Sequence, residues 1–193
     1  MQNKTTGQVI VVTGEGKGKT TTALGLAVQT AAQGQTVKIV QFLKGGGYTG
    51  ELTSCRLFGN HLAIHQFGYG CPIASAIKTG EQVCTKCGLC FRENRNPQRN
   101  YAGQALALAQ CFASDQSVRL LILDEVSHAI RRELIAEAAV LELMHSRQPA
   151  MTIVLTGRNM PDAIINVADS VTWCAAVKHP MQAGIDGRRG IEY

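Results

Sequence analysis

Residues 8–21 read QVIVVTGEGKGKTT: an apolar run from Gln8 to Thr13, then Gly14, Gly16 and Gly18 interleaved with Glu15, Lys17 and Lys19, then Thr20 and Thr21. The run is rich in Val and Ile and does not alternate with polar residues, which marks a strand buried on both faces, as in a parallel sheet. A helical stretch, Thr20 to Ala32, follows the glycines directly. Strand, glycine-rich turn and helix in that order are the context in which a triphosphate is cradled. Such a ligand needs backbone N–H groups that converge without obstruction by Cβ atoms, a helix N-terminus aimed at it, a lysine, and a hydroxyl for magnesium. The glycines, Lys19 and Thr20 supply these. The string fits G-x-x-x-x-G-K-[ST] with Thr13 in the first glycine place, and Gly14 and Gly16 restore backbone freedom beside it.

Outward from this turn, Val37–Phe42 (VKIVQF), Leu120–Leu123 (LLIL) and Met151–Thr156 (MTIVLT) repeat the buried-strand signature, and Leu62–Phe67 and Ser170–Ala176 carry a weaker form of it. Helical stretches lie between them at Tyr101–Ala113, Arg132–His145 and Pro161–Ala168, the last with proline in its first turn. The alternation predicts an α/β fold of the P-loop NTPase-like (RecA-like) kind: a doubly wound, mainly parallel sheet with helices on both faces. A length of 193 residues with 45% hydrophobic content suits one domain over residues 1–193. Residues 68–100 break the rhythm with Gly, Pro, Cys and charge but no period, and read as an irregular Cys-rich insertion rather than a second domain.

No run approaches the roughly 18 apolar residues of a membrane span, and the start MQNKTTGQ lacks the basic-then-apolar plan of a signal peptide. The expected location is therefore cytoplasmic, with no membrane partner. The net charge of +5 comes from scattered Lys and Arg, with only short pairs such as Arg131-Arg132 and Arg188-Arg189. A polyanionic small molecule accounts for that basicity without nucleic acid.

The acidic half of a nucleotide–magnesium site is expected at the end of a buried strand, and LLIL is followed by Asp124 and Glu125. Arg158, just past the strand that ends at Thr156, is placed at the same ligand edge and suits phosphate. Lys44 and Glu51, near the glycines after the second strand, are weaker candidates. Among the histidines, His65 reads as a structural strand residue, and His128 is near enough to Asp124-Glu125 to approach a nucleotide.

A P-loop identifies the ligand, not the bond that breaks. Five blocks in order go further: residues 13–21 (TGEGKGKTT), 40–45 (VQFLKG), 123–125 (LDE), 156–158 (TGR), and the tail from Val177-Lys178-His179 to Gly190-Ile191-Glu192-Tyr193. Together they resemble the P-loop cobalamin (corrinoid) adenosyltransferases, of the cob(I)yrinic acid a,c-diamide adenosyltransferase type. The resemblance implies transfer of the 5′-deoxyadenosyl group of ATP to the Co(I) form of a corrinoid, with release of triphosphate, in cobalamin biosynthesis or salvage. It implies ATP, Mg2+ and corrinoid as ligands, an electron-donor protein such as a flavodoxin-like reductant, and a homodimer.

Residue by residue, the resemblance implies phosphate binding by residues 14–21 with Lys17 and Lys19 foremost. Magnesium falls to Thr20 and Glu125 with Asp124 in support, so that Lys19, Thr20 and Glu125 form the catalytic set. Arg158 contacts the nucleotide, and His179 belongs to the matching tail. The corrinoid-facing aromatics of such enzymes correspond to Phe67 and Tyr69 in Gln66-Phe67-Gly68-Tyr69-Gly70, where no tryptophan follows; packing in the core or a lid is the other reading of both.

Cys71, Cys84, Cys87 and Cys90 lie outside the family pattern, in the spacing C-x12-C-x2-C-x2-C. Closely spaced thiolates wrap one metal, and this run is nearer to iron–sulfur ligation than to the paired knuckles of zinc. Thiols in a lid loop are the alternative. Cys55 is a possible extra ligand, whereas Cys111 and Cys174 fall in helix and strand patterns and read as core. Two other functions fit the phosphate loop: a phosphotransferase of nucleoside-kinase or ATPase type with a cysteine-bound metal loop, and an ATP-gated metal or redox binding module.

Overall fold

Six strands rich in β-branched residues assemble into one sheet in the computed structural model, which describes residues 6–45, 50–85 and 87–178. They are β1 (Val9–Thr13), β2 (Thr36–Phe42), β3 (Leu62–Phe67), β4 (Val118–Asp124), β5 (Thr152–Thr156) and β6 (Ser170–Trp173). Every pairing is parallel and the order is β3-β2-β4-β5-β1-β6. Parallel strands need crossovers, and helices cover both faces, as the P-loop NTPase-like α/β reading expects.

Alternate strand residues feed two cores. Val9, Val11, Val40, Phe42, Leu121, Leu123, Ile153 and Leu155 pack on one face with α5 (Tyr101–Ser114), α6 (Val126–Arg131), α7 (Glu137–Ser146) and α8 (Asp162–Val167). Val12, Val37, Ile39, Leu120, Ile122 and Val154 pack on the other with Ala23, Ala27 and Ala31 of α1 (Lys19–Ala32). Small residues every fourth position let α1 lie close to the sheet. Cys55, at the end of α2 (Gly50–Cys55), closes this second core.

One expected helix starts late. Of Arg132–His145 only the part from Glu137 is helical, in α7; its first residues instead form a turn after α6, with Glu133 in the left-handed region (φ 54°). The turn brings Ile135 into the core and Leu134 against it, so tertiary burial overrides a locally helix-favouring sequence. β6 also stops at Trp173, short of the expected Ala176, while β4 starts earlier, at Val118. The stretch 68–100 contains two short helices, α3 (Ala74–Thr79) and α4 (Leu89–Asn94), joined by irregular chain. No helix among the described residues is long and apolar enough to cross a membrane.

Because all strands run the same way, Thr13, Phe42, Asp124 and Thr156 reach one edge of the sheet. Register makes this specific: Val12 pairs with Thr156, and Gln41 lies between Asp124 and Gln66. The buried polar side chains among the described residues, Thr13, Lys19, Gln41, Asp124, Ser127 and Thr156, gather at this edge. Burying polar groups costs stability unless each is hydrogen-bonded, so their concentration at the ligand edge marks a built site.

Candidate active site at the strand ends

The glycine loop is held by close backbone approach. Gly14 has φ 106°, and a Cβ placed there would lie 2.5 Å from the carbonyl oxygen of Cys174; at Gly16 the same clash falls on Ala175. Cys174 N–H donates to Thr13 O and Gly16 N–H donates to Cys174 O, both at 2.7 Å, tying the loop to the end of β6. Gly16 is therefore a packing residue whose N–H is engaged within the fold. The first amides of α1, which starts at Lys19 after Gly18, have no side-chain cap.

Lys19 is buried and its ammonium donates to the carbonyls of Gly14 and Gly16, each at 2.7 Å. It has a third N–H to offer. Thr20 Oγ1 donates to Asp124 Oδ1 at 2.9 Å, joining the start of α1 to the end of β4. Lys17 and Glu15 are exposed on the loop and Thr21 in the first turn of α1, and Arg158 Nη1 reaches Glu15 Oε2 at 3.1 Å, which brings these two sequence candidates together across the loop.

Asp124 is the centre of the edge. Oδ1 also accepts from Thr156 Oγ1 at 2.6 Å, and Oδ2 accepts from Gln41 Nε2 at 2.9 Å and Lys44 Nζ at 2.8 Å. Burial alone would raise this carboxyl. The Lys44 charge and hydrogen bond and the hydroxyls of Thr156 and Thr20 outweigh it and hold the carboxyl below the ordinary value, so Asp124 is ionised. Burial acts in the opposite sense on Lys44, but Asp124, Glu51 and Glu125 together raise its ammonium above the usual lysine value. Lys44 Nζ is 3.8 Å from Glu51 Oε1.

The sequence reading gave the metal to Glu125 and a supporting place to Asp124; in the structure it is Asp124 that Thr20 touches. Glu125 adopts a left-handed backbone (φ 62°) and donates its N–H to Thr156 Oγ1 at 3.0 Å. Its Oε2 is buried without a hydrogen bond, although His128 Nδ1 lies 3.0 Å away. Thr20 Oγ1, Asp124 Oδ1 and this orphaned oxygen are hard donors of the type magnesium takes. Gln41 and Thr156 were not among the sequence candidates; a fully buried amide inside VKIVQF was the available signal for the first.

A groove of about 730 Å3 opens beside this edge, between α1 and α2. Thr20, Lys44 and Glu51 line its polar end, and Leu24, Val28 and Phe58 its apolar end. The loops after β2 and β3 touch here: a Cβ at Gly45 would strike Gly68. Phe67 packs against the core, which fits the packing reading of that residue. Tyr69 is half-buried, and its backbone is gripped by Asn94, whose Oδ1 accepts from Tyr69 N at 2.6 Å and whose Nδ2 donates to Tyr69 O at 3.4 Å.

A family profile described as "ATP:corrinoid adenosyltransferase BtuR/CobO/CobP" matches residues 5–193. The chain belongs to that family. It is 33% identical over 188 residues to a corrinoid adenosyltransferase of Sinorhizobium sp., covering 97% of this chain and 80% of the relative. A corrinoid adenosyltransferase of Pseudomonas aeruginosa is 30% identical, with 97% and 84% covered, and one of Escherichia coli K12 is 27% identical, with 97% and 86% covered. A P-loop, a Thr20–Asp124 link and this family membership agree on an ATP-using transferase.

The cysteines are not gathered. Cys84 and Cys87 are exposed, Cys71 and Cys90 half-buried, and none of the seven is in a disulfide. Among the described residues no three His, Cys, Asp or Glu side chains are grouped to hold a metal. Cys55 is buried in the second core, Cys174 packs against it, and Cys111, expected in the core, is exposed on α5. His65 meets the Phe112 ring at a tilt of 46° with centroids 5.2 Å apart, and its Nε2 is buried without a hydrogen bond; burial and Lys38 lower its pKa. His179 and the tail to Tyr193 lie outside the described residues.

Proposed function

We propose that the chain transfers the 5′-deoxyadenosyl group of ATP to the Co(I) form of a corrinoid at the strand edge built around Asp124. The observation that carries the reading is the Thr20–Asp124 hydrogen bond beside Lys19, which brings helix N-terminus, ammonium, hydroxyl and carboxylate to one point next to a groove. The amides at the start of α1 and the third N–H of Lys19 bind the triphosphate. Arg158 and Lys17 add positive charge at its rim.

Cobalt's electron pair forms the bond to C5′ while the C5′–O bond breaks, and that pair leaves on the triphosphate; cobalt becomes formally Co(III). The protein supplies no nucleophile. Its task is to hold C5′ in line and to stabilise negative charge growing on the leaving group, which buried cationic donors do without reorganising. Thr20, Asp124 and Glu125 would hold magnesium, which would further neutralise the triphosphate. The groove at Thr20, Lys44 and Glu51 receives the adenosyl end. Contact between the loops after β2 and β3 sets the corrinoid on the Tyr69 side of it.

Formation of Co(I) requires an electron donor, which we assign to a flavodoxin-like protein acting in the cytoplasm. A homodimer suits the exposed Val171 and Trp173 on edge strand β6, the latter 61% exposed. Incubation with ATP, Mg2+ and chemically reduced corrinoid tests the reaction: triphosphate and a light-sensitive cobalt–carbon species are expected, and ADP as the product would replace the reading by phosphotransfer.

A further inference from the structure

None of the described residues of 68–100 falls in the buried class. Val83 is 83% exposed and Phe91 68% exposed. Short helices, local turns and the Asn94–Tyr69 bonds hold a segment with no core of its own, and that is the situation in which small folds use cross-links or metals. The same stretch holds four of the seven cysteines of the chain. Cys71 opens the turn into α3, its carbonyl accepting from Ala74 N at 3.0 Å. Cys84 and Cys87 lie in the irregular chain before α4, and Cys90 is in the first turn of α4. Among the described residues no three of these thiols are grouped to hold a metal, so ligation has to draw them together.

We propose that Cys71, Cys84, Cys87 and Cys90 together bind one thiophilic metal centre, zinc or iron–sulfur, which folds the 68–100 segment and thereby fixes the loop at Tyr69. The thiols release their protons on binding, and the ordering of the segment is driven by ligation, as in other domains that fold on their metal. Transmission runs along α4. Cys90 stands at its start and Asn94 at its end, and Asn94 grips the Tyr69 backbone at both N–H and C=O. Ordering α4 therefore orders Tyr69, beside the loop that carries Lys44 and Gly45. This last consequence rests on the corrinoid reading of the Tyr69 side; the metal centre does not.

The full chain, purified anaerobically, is assayed for zinc, iron and acid-labile sulfide, with its electronic spectrum, before and after supply of zinc or of iron with sulfide. One zinc per chain without colour, or iron and sulfide with broad visible absorption, supports the proposal and identifies the metal. A chain that neither carries nor takes up metal overturns it, as does a Cys87–Cys90 disulfide in place of metal. Cys84→Ser with Cys87→Ser should abolish retention; equal metal content in that variant also overturns it.

Asn94→Ala guards against a mere folding defect. It should keep the metal and the KM for ATP, raise the KM for corrinoid, and speed hydrogen exchange at the Tyr69 amide by about fivefold, the value of one lost hydrogen bond. Unchanged exchange and an unchanged corrinoid KM would overturn the coupling. Metal bound by a chain that turns ATP into ADP would instead refute adenosyl transfer and leave the centre standing.

Discussion

The nucleotide edge and the 68–100 segment are both rich in polar and reactive side chains, but one is buried and over-connected while the other is exposed and under-connected. Asp124 accepts from four side chains at once, and Lys19 is closed over two loop carbonyls. The cysteines, at similar density in the sequence, share no core. Preorganisation is what separates them: groups that must stabilise charge in a reaction are fixed beforehand by packed strand ends, whereas groups that a metal can organise need no such scaffold.

The sharpest way to break this contrast is Lys19→Ala. Turnover should fall by about a hundredfold or more, as for removal of one preorganised charge-stabilising donor, with the sheet intact by circular dichroism. Retention of activity would show that the loop is not where the triphosphate is stabilised. Next comes Asp124→Ala, which leaves Lys44 beside an empty carboxylate position and removes the shared acceptor of Thr20, Thr156 and Gln41. A loss of about 3–5 kcal/mol is expected in urea unfolding, the range for breaking one partner of a buried pair. By contrast Phe91→Ser, in the exposed segment, should change stability of the metal-free chain by no more than about 0.5 kcal/mol.

Much of this contrast was legible in the sequence, and the misses have physical causes. β3 has the expected bounds, Leu62–Phe67, because a β-rich run ended by glycine leaves little choice. That Thr20 bonds to Asp124 was not legible, since two adjacent carboxylates cannot be ranked until strand pleat decides which one turns inward. Gln41 was passed over because a lone amide in an apolar strand declares its role only when the neighbouring strand brings Asp124 opposite it. Residues 132–136 favour helix locally, and only the core position of Ile135 shows why the helix starts late. The Asn94–Tyr69 grip joins residues 25 apart with no periodic signal.

A smaller effect sharpens the comparison among the thiols. Burial and then the charge of Glu51 push the Cys55 thiol up to about 11, against a reference of 9.0. Its alkylation at pH 8 should be about a hundredfold slower than that of an ordinary thiol, because the thiolate is the reactive form. Fast labelling of Cys55 would contradict its place in the second core.

The smallest effect is the one with pH. Asp124 has a lowered pKa, so its contribution is fully present above the ordinary 3.8 and is lost as pH falls through the lowered value. Lys44 has a raised pKa, so its contribution is present below 10.5 and is lost as pH rises through the raised value. The stability difference between wild type and Asp124→Asn should therefore be flat from about pH 5 to pH 9. A slope within that window would mean that the pair is not charged on both sides.

The most direct measurement of the central claim follows a single turnover with ATP labelled at the ribose 5′ carbon and, separately, at the γ-phosphorus, in the presence of reduced corrinoid. The account predicts that the carbon label moves to the corrinoid while the phosphorus label emerges intact as triphosphate. Carbon label remaining on ADP, with the phosphorus transferred or hydrolysed alone, would contradict it.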